Sequence, residues 1–244
     1  VQRYRRNGSL LEIGAGGGDF LNAARNRGYQ VHGVEPNEKL ARYIRETYSL
    51  PCETRDVSAA FGEATFDVVY HCNVLSHLAD PLGTFRAINR RLKDDGIMVF
   101  ETGNVGEVDR KYYELYPGFQ LPDHLFFFGE HSLDLLLARA GFERVETRRY
   151  SLVPQMLLGR RYRRIAYKAG LEIPVRAEPP RVGDDSVRPL EPISRPSAWR
   201  DCGLFSKDLA FHTLRYVLGQ LLPTSGRPCA VIVVARKSAS ERPT

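Results

Sequence analysis

The sequence predicts an α/β fold built on a mostly parallel sheet. Three observations carry this. Short apolar runs of strand type alternate with amphipathic helical stretches from Ser9 to Glu101, and such alternation implies parallel pairing through right-handed crossovers. The first strand runs into a glycine-rich turn, LLEIGAGGGDF at 10–20, the kind of strand-to-helix junction where open α/β sheets take ligands. A buried-type run, CAVIVVA at 229–235, supplies a last strand near the end of the chain.

Each element follows from its local pattern. Ser9–Ile13 is a short buried strand, and Asp19–Arg27 is helical with Gly28 as its stop. Gln30–Glu35 is a second strand, and Asn37–Thr47 is helical with Pro36 or Asn37 near its start. Glu53–Arg55 is a brief third strand, and Phe66–Asn73 a fourth. Asp80-Pro81 opens a helix over Leu82–Leu92, with Phe85, Ile88 and Leu92 on one stripe. Gly96–Glu101 is the fifth strand. Thr102–Gly129 is then long, aromatic and turn-rich, and long loops in compact domains tend to be functional lids. Glu130–Ala140 is helical and stops at Gly141, and Phe142–Ser151 is a strand. The stretch 154–228 reads as an insertion before the last strand. It holds a proline-rich extended part, Pro174–Ser197, and a helix over Lys207–Leu222. The whole, 1–244, reads as one domain.

Composition narrows the class. Hydrophobic residues make up 43% and charged residues 26%, as in soluble globular proteins. No apolar run is long enough for a membrane-spanning helix, and the start has no secretory pattern. The sequence begins at Val1, so any N-terminal extension lies outside it or was never there. Four cysteines, Cys52, Cys72, Cys202 and Cys229, form no CxxC and, with six histidines, no zinc spacing, so no metal is expected. Nothing requires an oxidising compartment, and a cytoplasmic protein is expected. The net charge of +6 reads first as solubility, with attraction to an anionic substrate or surface as the sharper alternative. Arg160–Arg164 (RRYRR) reads first as a solvated helix face. A peripheral membrane contact stays open, and without an RNA-binding signature a nucleic-acid target is a minor option.

The glycine turn indicates the ligand. A dinucleotide fingerprint, G-x-G-x-x-G, needs a third glycine where this chain has Asp19. What remains is acid-x-G-x-G-x-G: Glu12, Gly14, Gly16 and Gly18. An acid beside the loop repels a pyrophosphate and suits a cationic amine or sulfonium. No Tyr-x-x-x-Lys pair follows, so an NAD-dependent oxidoreductase is the weaker reading. Glu35 ends the second strand, where an acid can accept bonds from both ribose hydroxyls.

Four stretches in this order, LLEIGAGGGDF, VHGVEPN (31–37), FDVVYHCNVLSHLADP (66–81) and DHLFFFGEHSLDLLLARAGF (123–142), resemble the class I S-adenosylmethionine-dependent methyltransferases. In particular the chain looks like the small-molecule group that includes ubiquinone-type O-methyltransferases, and the likeness covers Ser9 to Ser151. It implies a Rossmann-like, doubly wound sheet of seven strands with an antiparallel hairpin at the C-terminus. It also implies an S-adenosyl-L-methionine cofactor. Gly14, Ala15 and Gly16 would pass under its methionine part, with Glu12 meeting the amino group or orienting the loop. Pro36 would pack near the adenine, Asp56 would take the adenine amino group, and the Val57 N–H would donate to the ring. Asn73 would reach the ligand from the end of the fourth strand. The chain departs from the family's simplest pattern in its long insertion and in Ser76, where an acid often precedes His77.

Methyl transfer to a hydroxyl gains from a base, and histidine is the natural one near neutral pH. His124, in DHLFFF with Asp123 beside it, is the first candidate, His77 the second and Tyr112 the third; His77 reads first as a structural histidine bridging its loop and the following helix, and Tyr112 and Tyr113 could instead line the pocket or pack the lid. The expected activity is methyl transfer to a small-molecule hydroxyl: a phenol, quinone precursor or sugar. N- or C-methylation, or a binding module without turnover, are the alternatives. Oligomeric state is not legible.

Overall fold

The computed structural model describes residues 1–115, 124–154, 156–158, 161 and 213–238. The chain divides into two compact units, Val1–Arg149 with Thr224–Thr244, and Tyr150–Pro223. The first contains most of a seven-stranded sheet. Its strands are β1 (Gly8–Ile13), β2 (Tyr29–Val34), β3 (Cys52–Glu53), β4 (Phe66–Cys72), β5 (Leu92–Gly103), β6 (Phe142–Ser151) and β7 (Cys229–Lys237). The helices are α1 (Asp19–Arg25), α2 (Glu38–Tyr48), α3 (Pro81–Arg91) and α4 (Glu130–Arg139).

The strand order is β3-β2-β1-β4-β5-β7-β6. β1 pairs in parallel with both β2 and β4, and β4 with β5. β7 runs antiparallel to β5, from Ile97 opposite Arg236 to Gly103 opposite Ala230. This is the expected seven-stranded, mostly parallel sheet with an antiparallel C-terminal strand. The chain reverses its direction of travel across the sheet between β1 and β4. Open α/β sheets bind ligands at such a point, outside the carboxyl ends of the strands.

Alternating side chains give the sheet two buried faces. Leu11, Val69, Met98, Phe100 and Val233 join Phe85, Ile88, Leu133 and Leu137 of α3 and α4 in one core. Leu10, Val68, Val99 and Val234 join Leu21, Ala24, Ala41 and Ile44 of α1 and α2 in the other. The helix starts carry the caps the sequence announced. Lys39 and Leu40 N–H groups donate to Asn37 Oδ1 at 3.0 and 3.3 Å. Gly83 N–H donates to Asp80 Oδ1 at 2.9 Å, with Pro81 in the first helical turn. The start of α4 is held from outside: Glu130 N–H donates to Glu107 Oε1 at 2.7 Å.

Most element bounds differ from the sequence reading by a residue or two, and three differences change an element's extent or character. β5 starts at Leu92 rather than Gly96, because Leu92 already pairs with Phe66 before the ladder shifts register. β3 shrinks to Cys52–Glu53. Of the helix expected over Lys207–Leu222, the described part is irregular, with a π-helical turn at Thr213–Val217 and a 3-10 turn at Leu218–Leu221. This part lies in the second unit, where a Cβ on Gly219 would sit 2.8 Å from the Ser151 carbonyl oxygen. There Tyr150 and Tyr216 lie 5.1 Å apart between ring centroids, and the Arg215 guanidinium lies 5.4 and 5.3 Å from the two rings. Tyr116, Asp123 and most of the Arg160–Arg164 run lie outside the described residues. Among the described residues no helix is long and apolar enough to cross a membrane.

His71 is a buried polar residue packed among aromatic rings. His71 of β4 is 1% exposed, stacked on Phe100 at 4.9 Å and edge-on to Phe85 at 5.7 Å. Neither ring nitrogen has a hydrogen-bond partner among the described residues. Burial pushes its pKa down to about 3. A neutral buried imidazole stabilises the fold above its ordinary pKa, and that contribution is lost as pH falls through 6.5 toward 3. His71→Phe is therefore expected to shift the acid-unfolding midpoint to lower pH and to raise stability at pH 7 by about 1–2 kcal/mol. Acid titration by circular dichroism checks this; an unchanged midpoint refutes it.

Candidate functional site

The carboxyl ends of the central strands gather one polar set: Glu12 from β1, Glu35 after β2, Asp56 after β3 and Asn73 after β4. The glycine turn forms the floor. Gly14, Gly16 and Gly18 have φ of 72°, 53° and 81°, the left-handed region that glycine tolerates. Gly14 and Ala15 N–H groups donate to the Val34 carbonyl at 2.7 and 3.1 Å, tying the turn to the end of β2.

The glycines serve different ends. A Cβ on Gly18 would lie 2.7 Å from Ile44 Cγ1, so this glycine lets α1 close on α2. A Cβ on Gly16 would meet nothing within 4 Å, which leaves its backbone facing open space where a ligand can lie. Gly18→Ala is expected to lose about 2–4 kcal/mol through strain and overpacking, and Gly16→Ala only about 1 kcal/mol through its backbone angle. Urea denaturation of the two variants checks the contrast; equal losses contradict it. Asp19, which replaced the third glycine of a dinucleotide turn, accepts a 3.0 Å bond from the Tyr48 hydroxyl and joins the two helices.

Glu35 is buried, and its carboxylate clamps the turn. Oε2 accepts from Gly16 N–H at 2.7 Å and Oε1 from Asn37 N–H at 2.9 Å. A carboxylate has about four acceptor positions, so two remain for a ligand's hydroxyls. Pro36 beside it is exposed. Asp56 is exposed and accepts from Ser58 N–H at 2.8 Å, while Val57 is buried. Among the described residues Asn73 is one of three non-glycine residues with positive φ, at 54°, and its N–H donates to the Glu101 carbonyl at 2.9 Å.

Glu12 is the electrostatic centre. It is 5% exposed, and its Oε2 has no hydrogen-bond partner among the described residues. Its pKa is pushed up to about 8, chiefly by burial and further by the charges of Glu35 and Asp19, against a bond to the Leu21 backbone. A buried acceptor without a partner is expensive in isolation and is suited to receive a cation.

Two of the three catalytic candidates meet. The His77 and His124 ring centroids lie 4.6 Å apart. Backbone bonds hold them there, since Leu125 and Phe126 N–H groups donate to the Ser76 carbonyl at 2.8 and 3.3 Å. The short turn that carries His77, Leu75–His77, begins after Val74, and a Cβ on Gly14 would lie 2.5 Å from Val74 Cγ2. The histidine pair is therefore anchored against the glycine turn. Leu125, Phe126 and Phe127 beside it are exposed, whereas Phe128 packs on the core. Tyr112 belongs to another cluster, in the turn Arg110–Leu115, with Lys111 Nζ 5.3 Å from its ring centroid.

Sequence reasoning missed Arg91 and Val74. Arg91 falls three residues after Ile88, on the buried stripe of α3, but its charge reads as solvated surface until the loop it binds is in place. Two surface hollows, one at Ser9, His32 and Lys93 and one at Val1, Phe20 and Arg27, include none of the candidate site residues.

The family described as a methyltransferase domain matches residues 1–147. A ubiquinone biosynthesis O-methyltransferase of Ruegeria pomeroyi is 38% identical over 101 residues, 39% of this chain and 41% of that protein. One of Idiomarina loihiensis is 31% identical over 102 residues, 39% of this chain and 42% of that protein. The matched stretch thus spans less than half of these relatives. Two solved structures share the fold. An O-methyltransferase from a polyketide synthase multienzyme of Brevibacillus brevis, in complex with S-adenosyl-L-homocysteine, aligns with TM-score 0.56 and 13% identity over 95% of this chain and 67% of that one. A phosphoethanolamine N-methyltransferase of Haemonchus contortus aligns with TM-score 0.56 and 18% identity over 97% of this chain and 51% of that one. The chain belongs to the methyltransferase-domain family.

Proposed function

We propose that this family member is an enzyme that transfers the methyl group of S-adenosyl-L-methionine to a hydroxyl oxygen of a small-molecule acceptor, with the His77–His124 pair supplying the base. The observation that carries the reading is that pair, 4.6 Å between ring centroids and anchored through Val74 to the glycine turn. S-adenosyl-L-methionine is the cofactor. The residues present suit it: Glu12 offers a buried acceptor without a partner, and Gly16 an open backbone face.

The cofactor supplies a methyl group activated on a sulfonium, open to in-line displacement. The chain does the rest. Gly14, Ala15 and Gly16 would lie under the methionine part, and Glu12 and Gly18 would frame it. Glu35 would accept from the ribose hydroxyls while keeping its bond to Gly16, and Pro36 would cover one side. Asp56 would accept from the adenine amino group, and Val57 N–H would donate to the ring. Asn73, held left-handed by its place at the end of β4, would present backbone polar groups to the ligand. His124, with His77 behind it, would take the acceptor's hydroxyl proton as the oxygen attacks the methyl carbon. Orientation of the two reactants is the larger part of the catalysis.

The described residues of the 102–129 stretch would cover the acceptor side, where exposed Leu125, Phe126 and Phe127 suit an aromatic or partly apolar acceptor such as a phenol or quinone precursor. Tyr112 would line that cover rather than act as a base. The thiols of Cys52, Cys72 and Cys229 suit a reducing, cytoplasmic location. A labelled-methyl assay across phenol, sugar and amine panels tests the reading. Label on a hydroxyl is expected; label on nitrogen or carbon alone, or on nothing despite tight cofactor binding, overturns it.

A further inference from the structure

Arg91 stands at the C-terminal end of α3, only 8% exposed. Its guanidinium is spent on one loop. Nε donates to the Val57 carbonyl at 3.3 Å, and Nη2 to Ser58 at 2.9 Å. Nη1 donates to the Gly62 carbonyl and, at 3.4 Å, to Ala64. Four of the five N–H donors thus point at backbone oxygens of residues 57–64. That loop needs holding. It turns through two successive left-handed residues, Phe61 and Gly62, each at φ 57°, and Phe61 is not a glycine. At its head the Ala59 and Ala60 N–H groups donate to the Asp56 carbonyl, both at 2.9 Å, so the guanidinium and the Asp56 turn grip the same few residues.

We propose that Arg91 is a positioning residue for base recognition: it sets the place of Val57, and through the turn that of Asp56, so that the two match the paired donor and acceptor on the edge of adenine. The inference rests on the reading of Asp56 and Val57 as adenine contacts. The planar fork explains why an arginine is used, since an ammonium reaches fewer carbonyls at once and cannot hold four oxygens in one plane. Arg91 touches no ligand and acts only through the loop.

The test compares two ligands on the intact chain. S-adenosyl-L-homocysteine carries adenine, with an amino donor beside a ring-nitrogen acceptor. S-inosyl-L-homocysteine carries an oxo group and a ring N–H there, so both matches are reversed while ribose and amino acid stay the same. By calorimetry the wild type is expected to prefer the adenine ligand by about tenfold or more, as sites built to hydrogen-bond a group reject its mismatch. Arg91→Lys is expected to cut that preference to within about threefold, mainly by weakening the adenine ligand. Arg91→Gln, which keeps an N–H donor without the charge, is the second variant should the first not fold, with the same expected collapse. Asp56→Asn is the control for the underlying reading and is expected to remove the preference with Arg91 intact. If wild type shows no preference, the adenine reading fails and the proposal with it. If Asp56→Asn removes the preference and the folded Arg91 variant retains it, or loses both affinities equally, Arg91 is only structural and the proposal alone is overturned.

Discussion

Glu12→Gln is expected to stabilise the unliganded protein above pH 8 while weakening S-adenosyl-L-homocysteine binding about 10- to 100-fold. Both effects come from one buried carboxyl with a pKa pushed up to about 8 by burial and by its acidic neighbours Glu35 and Asp19. A carboxyl whose folded pKa is raised binds more protons folded than unfolded. Its stabilising contribution is full below the ordinary value of 4.5 and is lost as pH rises through about 8. Each pH unit in that window is worth at most about 1.4 kcal/mol, so the charged Glu12 costs the empty fold on the order of 4 kcal/mol at high pH. Glutamine keeps the shape and cannot ionise, so the variant's stability should be flat where the wild type's declines. Binding runs the other way. The ligand's ammonium group draws the carboxyl into its charged form, so affinity should tighten between pH 6 and 8 with release of a proton. Calorimetry in buffers of different ionisation enthalpy measures that proton, and thermal melts from pH 5 to 9 measure the slope. Equal pH profiles for variant and wild type, in both measurements, would falsify the role given to Glu12.

The same residue shows what a sequence makes legible. Glu12, the glycines, Glu35 and Asn73 were readable because each sits at a strand end whose position follows from local apolar pattern and turn chemistry. The helix starts at Asn37 and Asp80-Pro81 were readable for the same reason, since a cap is satisfied within three residues. Features that depend on distant partners were not. Arg91 belongs to a run of charges, Arg90 to Asp95, that reads as solvated surface, and only the carbonyls of another loop give it a buried role. His71 reads as one residue of a strand, and its burial depends on Phe85 and Phe100 from two other elements. The twofold use of Glu35, on Gly16 and on Asn37, needs the turn folded back on the strand end. The distinct tasks of Gly16 and Gly18 likewise appear only once Ile44 is placed beside the turn. The roles of Glu12 and His71 also oppose each other in pH. The first loses stability toward alkali and the second toward acid, so the empty fold is expected to be most stable in between.

Removal of the histidine pair is expected to have the largest catalytic effect. The two rings were separate candidates in the sequence and lie 4.6 Å apart in the fold, held by the bonds from Leu125 and Phe126 to Ser76. A base that moves a proton in the transition state typically contributes 10²–10⁴-fold. His124→Ala is therefore expected to lower kcat by about that factor, with S-adenosyl-L-homocysteine affinity unchanged because neither ring is assigned to the cofactor. His77→Ala is expected to lower kcat less, about tenfold, because it acts by orienting its neighbour. The double variant should match the His124 variant rather than multiply the two losses, since residues that act as a unit are not additive. Neither change should unfold the chain, as His77 is exposed and His124 only half-buried. A further signature separates a base from a packing residue. With acceptors of lower hydroxyl pKa the penalty of His124→Ala should shrink, because an acceptor already ionised needs no base. Its rate should also climb with pH beyond the point where the wild type levels off. A loss of less than threefold in both single variants, or a loss that does not vary with acceptor acidity, sinks the assignment, and methyl transfer here would then rest on alignment of the two reactants alone.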